Sequence, residues 1–171
     1  MASLIEDLIT ALEEESALYE ELTKESLAKT PVIVANDLVR LQEANTREQA
    51  IVDRITTVSH RRNRAMEEIA TVLGKDAKTI TVSEIIQMME KQPEFQHPLI
   101  ILKDKMLKQV DVLKQVSLHN QELLKESLEM TEYSINLIRS LDQAPETANY
   151  NRGTYSGATL GGSRSSFDAK Q

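Results

Sequence analysis

The chain lacks cysteine and tryptophan, and its 171 residues include only four prolines, five glycines and two phenylalanines. Without cysteine there can be no disulfide framework and no thiolate metal site, which fits a reducing compartment. Aromatic residues make up only 4% of the chain, so a core must be built from leucine, isoleucine, valine and methionine. That composition suits helix-on-helix packing better than a sandwich or a barrel.

Long apolar runs are also missing. No segment approaches the ~20 apolar residues that a membrane span requires, so we expect no membrane insertion. The first fifteen residues are acidic and amphipathic and lack the positive and apolar regions of a signal peptide. The net charge of −7, with both signs interleaved along the chain, argues against nucleic acid as a partner. We therefore expect a cytoplasmic protein.

Catalytic motifs are absent as well. The chain has no G-x-S-x-G, no Walker loop and no G-x-G-x-x-G. The segment Glu94 to His97 reads Glu-x-x-His, but it occurs once and between two prolines, whereas di-iron bundles place two such units on facing helices. We predict that the protein is not an enzyme and that it uses no metal and no cofactor.

Helical spacing of apolar residues is the main positive signal. The run from Leu99 to Leu141 contains no glycine and no proline, and as an α-helix its 43 residues would span about 65 Å. Capping boxes and the positions of proline and glycine give the expected bounds of the other helices. These bounds are Leu4 to Ala28 after a Ser3/Glu6 box, Pro31 to Val72 before Gly74, and a short helix from a Thr81/Glu84 box to Lys91.

The predicted fold class is all-α, an elongated antiparallel helical bundle or coiled coil of three long helices and one short helix. The second and last helices are nearly equal in length and joined through a short segment, so they should lie antiparallel. Because the first helix would cover only the half of the second nearest Pro31, the last helix should be flanked by both from Leu118 to Leu141, with the short helix at the opposite end.

The last helix carries two apolar seams. The first seam follows heptad steps and comprises Leu99, Leu102, Met106, Leu113, Val116, Leu123, Met130, Leu137 and Leu141. The second seam comprises Leu107, Val110, Leu118, Leu124, Leu128, Ile135 and Ile138. Two interpretations stay open: the second seam faces a groove where a further helix docks, or the first two helices cover both seams. Glu15 and Asn120 are polar residues on seams that either fix helix register or contact a ligand.

Beyond Asp142 the composition changes. Residues 143–171 contain four of the five glycines and show no helical period. Such a segment buries too little apolar surface to offset the entropy of ordering it. We expect a helical domain over residues 1–142 and a mobile tail over residues 143–171.

Four groups of residues carry a family resemblance. The first is Glu15-x3-Tyr19-x2-Leu22, and the second lies on the next long helix at Leu38, Leu41, Glu48, Ile51, Ile55, Val58 and Arg62. The third is Asn120-Gln-Glu-Leu123-Leu124-Lys-Glu-Ser127-Leu128-x4-Tyr133-x3-Leu137, and the fourth, in the tail, is Tyr150-Asn-Arg-Gly153. Over roughly residues 4–141 and part of the tail, the chain resembles the FlgN-type flagellar export chaperones.

The resemblance implies a cytoplasmic chaperone of type III export. It would bind unfolded terminal segments of flagellar hook-associated (hook–filament junction) proteins, prevent their premature assembly and deliver them to the flagellar export gate. The candidate client-binding residues are Leu118, Asn120, Leu124, Leu128, Ile135 and Ile138. Tyr150 or Tyr155 would contact the gate. The alternative is a structural coiled-coil homodimer, or another helical adaptor without a chaperone role.

Overall fold

The computed structural model describes residues 1–142, which are 89% helical and contain no strand. The four helices are α1 (Ala2–Val34), α2 (Leu38–Leu73), α3 (Val82–Met88) and α4 (Pro93–Asp142). The all-α fold with three long helices and one short helix is therefore confirmed. None of these helices combines the length and the hydropathy that crossing a bilayer requires. The predicted tail lies outside the described residues.

The chain divides into two units, with the boundary between Thr131 and Glu132. The first unit holds α1, α2, α3 and α4 up to Thr131, and the packing described below is that of this unit. The described part of the second unit is the helical segment from Glu132 to Asp142.

Helices α1 and α2 form an antiparallel hairpin with cross-helix ion pairs along its length. Residues later in α1 meet residues earlier in α2, which defines the direction. The pairs are Glu14 with Arg61 at 2.5 Å, Glu15 with Arg62 at 2.7 Å, Glu21 with Arg54 at 3.1 Å, Glu25 with Arg47 at 2.9 Å and Lys29 with Glu48 at 2.5 Å.

The turn of this hairpin lies six residues later than the sequence predicts. Pro31 does not start α2; it lies in the last turn of α1, where a missing N–H removes a single helical hydrogen bond. The chain breaks instead at Asn36, whose φ of 51° is left-handed, a conformation that asparagine tolerates better than most residues. The Asp37 side chain then caps α2 by accepting from the Arg40 backbone N–H at 3.1 Å.

The end of α2 and the start of α3 lie where their capping residues predict. Gly74 ends α2 with a φ of 64°, which a Cβ would strain, and this predicted end is confirmed. The Thr81/Glu84 capping box that opens α3 is also confirmed, although α3 ends at Met88 rather than Lys91. The Ser3/Glu6 box is wrong, because α1 starts at Ala2 with no side-chain cap.

Helix α4 begins six residues before its predicted start at Leu99. Pro93 occupies the first helical position, where its fixed φ is already suitable and its missing N–H needs no partner. Pro98 lies in the second turn, so the helix continues through it at the loss of one hydrogen bond. The prediction that these two prolines bracket a break is therefore wrong.

Side-chain hydrogen bonds show that α4 runs in the same direction as α1. Each successive bond lies further along both helices, so α4 is antiparallel to α2, as predicted. The three pairs are Ser16 with Gln109, Ser26 with Asn120, and Asn36 with Ser127. The prediction that both helices flank α4 from Leu118 to Leu141 is wrong, because α1 already packs on α4 at Leu99 and Leu102 and every residue from Leu128 to Leu141 is exposed.

The apolar core has two parts. The larger cluster joins all four helices at the end where α3 lies, and α4 contributes Leu99 and Leu102 to it. Its other buried members are Ile5, Leu8, Leu12, Ala65, Ile69, Ile85 and Met89. The smaller cluster consists of Leu18, Leu22 and Ile51, and α4 adds only the half-buried Leu113. Burial of α4 is thus concentrated at its beginning.

Candidate functional site

Exposure along α4 rises sharply after its first turns. Leu99 is fully buried and Leu102 nearly so, but from Lys103 to Leu141 the single buried side chain is Asn120. Every residue from Leu128 to Leu141 is exposed. Apolar residues within this stretch stay in water at a cost of about 25 cal/mol per Å², so they form the candidate binding surface.

The second seam is the main source of this exposed apolar surface. In the first unit Leu118 is 57% exposed and Leu128 is 66% exposed, while Leu124 is half-buried. In the second unit Ile135 and Ile138 are 44% and 59% exposed. The interpretation in which α1 and α2 cover both seams is therefore wrong.

The first seam divides into a packed part and an exposed part. Its members up to Leu123 are buried or half-buried, in agreement with heptad packing. Leu137 and Leu141 are exposed instead. Heptad spacing continues to the end of α4 although Leu137 and Leu141 are exposed, so the pattern alone does not show where packing stops.

Asn120 does not share the exposed surface with the other candidate residues. It is 3% exposed, its Nδ2 donates to the Ser26 carbonyl at 2.8 Å, and its Oδ1 accepts from the Thr30 hydroxyl at 2.6 Å. A buried amide needs such partners, because leaving it unpaired costs about 1–3 kcal/mol. Its burial favours the alternative role of fixing the register of α1 and α4, and a contact between Asn120 and a client stays a prediction.

Glu15, the other polar seam residue, is fully buried and makes four contacts through its carboxylate. Arg62 donates to both oxygens at 2.8 and 2.7 Å, Ser59 donates at 2.9 Å and Tyr19 at 3.2 Å. Burial, and then the charge and hydrogen bond of Glu15, raise the pKa of Tyr19 against a smaller opposing effect of Arg62. This network locks α1 to α2 between the two apolar clusters.

The predicted gate residues Tyr150 and Tyr155 lie outside the described residues. Within residues 1–142, no three histidine, aspartate or glutamate side chains come together as metal ligands would. What the described residues offer is a bundle held in register by buried polar pairs, together with a helix that presents apolar side chains to water. This arrangement defines a helical bundle with an exposed apolar helix face, a kind of surface on which proteins bind amphipathic helices.

The family model of the FlgN protein matches residues 1–156, and the chain belongs to the FlgN family. This match confirms the resemblance seen in the sequence. Family membership implies a general role as a flagellar export chaperone, and the family is one of chaperones rather than of known enzymes. No curated protein and no solved structure matches the chain.

Proposed function

We propose that this protein is a cytoplasmic type III export chaperone that binds unfolded C-terminal segments of flagellar hook-associated proteins. The observation that carries the proposal is the exposed second seam of α4 at Leu118, Leu128, Ile135 and Ile138. A client segment that folds as an amphipathic helix on these residues hides its own apolar side while it waits for export. Family membership supports this role.

The energy available fits reversible binding. A fully covered leucine or isoleucine contributes about 1.5–3 kcal/mol. Ordering an unfolded segment consumes about 2–5 kcal/mol or more of the gross interaction energy. These two quantities are of similar size for a surface of a few such residues, which is the balance that our proposal requires for holding a client and then releasing it.

Charge substitution on the seam tests the proposal. Leu128→Glu and Ile135→Glu, made separately in the full chain, should each weaken binding of a hook-associated protein at least about tenfold, or 1.4 kcal/mol. The matched control is Val72→Glu, a substitution at an exposed position on α2 that is not part of the seam. Binding is measured by titration calorimetry, and circular dichroism checks that helicity is unchanged. If both seam variants bind as the wild type does, the client surface lies elsewhere.

For the tail we propose that Tyr150 or Tyr155 contacts the export gate. The double variant Tyr150→Ala/Tyr155→Ala should bind the hook-associated protein with unchanged affinity but fail to support its export. The two single variants then assign the contact to one tyrosine. Full export by the double variant would remove this role from both.

A structural homodimer is the competing account, because the same seam could pair with a second copy. Sedimentation of the free protein at micromolar concentration separates the two. Our proposal predicts that a client dissociates any such pair and takes its place, whereas a dimer that persists unchanged in excess client would contradict it.

A further inference from the structure

A groove runs between α2 and α4 in the first unit, with α1 as its floor. Leu22 and Ser26 of α1 line its base, Val52 stands on the α2 side, and Leu113 and Leu124 stand on the α4 side. The cavity volume is about 420 Å³. Three helices thus surround a space that a fourth helix would fill in a four-helix bundle.

The groove is neutral, although the protein as a whole is highly charged. Its only charged lining residues are Lys29 and Glu48, which pair with each other at 2.5 Å. Two of its polar residues are also satisfied internally: Ser26 donates to Glu48 at 2.6 Å, and Asn120 donates to the Ser26 carbonyl at 2.8 Å. Because these charges are already paired, an occupant of the groove needs no opposite charge to neutralise them.

Two other clefts between these helices differ in this respect. The cleft between α1 and α2 is lined by Asp7, Arg61, Arg64 and Glu68. An apolar helix face entering this cleft would have to displace water from several charges, which is expensive. The cleft between α1 and α4 is lined by Val112 and by the side chains of Lys24, Lys105 and Lys108, and most of the surface that it presents is carbon. The α2–α4 groove differs from both because its charged residues are paired with each other and because it includes Leu124 of the second seam.

The α2 wall of the groove carries an exposed apolar residue of its own. Val52 is 39% exposed, although its neighbour Ile51 is buried against α1. On the opposite wall, Leu124 lies one helical turn before Leu128, so the groove continues into the exposed seam on the same helix. A helix lying in the groove would contact α2 and α4 together. It would bury Leu124 and Val52, which are only partly covered by the rest of the protein.

We infer that the client is gripped in this groove as a single amphipathic helix, with α2 as well as α4 forming its binding site. This inference rests on the proposed chaperone function and adds to it the second wall and the chemistry of the occupant. The client face that enters is apolar along one stripe. It is uncharged at the positions that meet Val52 on α2 and Ser117, which also lines the groove on its α4 side.

Charge placed on either wall tests the inference. Val52→Arg on α2 and Ser117→Arg on α4 should each weaken binding of the C-terminal segment of a hook-associated protein at least about tenfold. Val72→Arg on α2 and Gln115→Arg on α4 are the matched controls, since neither lines the groove, and both should bind within about twofold of the wild type. Fluorescence anisotropy of the labelled segment gives the affinities.

The outcomes separate this inference from the proposed function. If the wild type does not bind the segment, the chaperone function fails. A second outcome is that the wild type binds, Leu128→Glu does not, and both Val52→Arg and Ser117→Arg bind normally. In that case the proposed chaperone function stands, and the inference that the client lies in the α2–α4 groove is wrong.

A probe at Val52 keeps the test decisive if a wall variant fails to fold. Because the chain has no cysteine, Val52→Cys carries a single label whose emission reports local burial. Client should shift this emission to shorter wavelength and leave a label at Val72→Cys unchanged. An unchanged label at Val52→Cys would overturn the inference, and so would a shift produced by raising the protein concentration without client, which would assign the groove to a second copy.

Discussion

At the scale of single residues, the bundle depends on a few buried polar side chains that each have several partners. No buried side-chain nitrogen or oxygen within residues 1–142 lacks a hydrogen-bond partner. Glu15 fixes α1 against α2, and Asn120 fixes α1 against α4. Leucine seams tolerate sliding by a turn, whereas a buried polar pair is satisfied in one register only. These residues therefore specify the alignment on which the groove depends.

Removing the Glu15 carboxylate should be strongly destabilising. Glu15→Ala leaves Arg62, Ser59 and Tyr19 without their acceptor, and breaking a buried ion pair from one side costs about 3–5 kcal/mol. Urea unfolding followed by circular dichroism measures the loss. The double variant Glu15→Leu/Arg62→Met should be markedly more stable than Glu15→Ala, because no charge is left unpaired.

The exposed pair of Glu21 and Arg54 is the control. Its side chains are 47% and 60% exposed, so Arg54→Ala should cost less than about 1 kcal/mol. Equal losses for Glu15→Ala and Arg54→Ala would show that burial of the Glu15 network contributes nothing.

Because of Tyr19, the stability that the Glu15 network contributes should depend on pH in the alkaline range. Burial and the neighbouring Glu15 raise the pKa of Tyr19 in the folded state above its unfolded value of about 10. The folded state therefore holds this proton more tightly, so the stability it provides is complete below about pH 10 and is lost as the pH rises through the folded pKa. The free energy of unfolding should fall more between pH 9 and 11 in the wild type than in Tyr19→Phe. An identical fall in both would contradict the assignment.

At the scale of helices, the number and direction of the helices were predictable, but the end of α1 and the starts of α2 and α4 were not. Heptad spacing identified the long helices because apolar periodicity is a property of the chain itself. Gly74 and Thr81 act within their own turn, and both were predicted correctly. The helix boundaries predicted at Pro31 and Pro98 were wrong, because a proline near a helix end removes only one hydrogen bond. The packing of the rest of the helix outweighs that loss.

Pro31→Ala tests this account of the α1 end. Alanine restores an N–H that can donate to the Leu27 carbonyl and carries no ring to clash with it. The variant should be more stable than the wild type by about 1–3 kcal/mol, measured as a shift in the urea midpoint. Loss of stability would indicate that Pro31 is needed to form the turn at Asn36.

Part of the candidate site was predictable from the sequence, and part was not. The second seam was identifiable from the sequence because its apolar residues exceed what one neighbouring helix can cover, and its exposure agrees. The burial of Asn120 was not predictable, because its partners Ser26 and Thr30 lie 94 and 90 residues away. The α2 wall at Val52 was missed for a related reason: a lone exposed valine carries no signal until the fold places it opposite α4.

At the scale of the whole molecule, the larger apolar cluster and the fully exposed run of α4 lie at different places along the chain. The four-helix cluster around Leu99 and Ile85 anchors the first unit. Exposed apolar residues occur on all three long helices, but only α4 has a long run, from Leu128 to Leu141, in which every residue is exposed. A chaperone needs both properties, because a stable anchor keeps its own chain folded while an uncovered surface accepts a client. The central claim is that this surface is unoccupied in the free protein and covered in the complex.

Amide hydrogen exchange tests that claim most directly, because it reports protection segment by segment in the full chain. In the free protein, amides from Leu128 to Ile138 should exchange much faster than those from Leu99 to Met106, since few buried contacts support them. Adding a hook-associated protein should slow exchange from Leu113 to Ile138 and around Val52. Equal protection of both α4 segments in the free protein, or a client that slows exchange only outside these residues, would contradict the account.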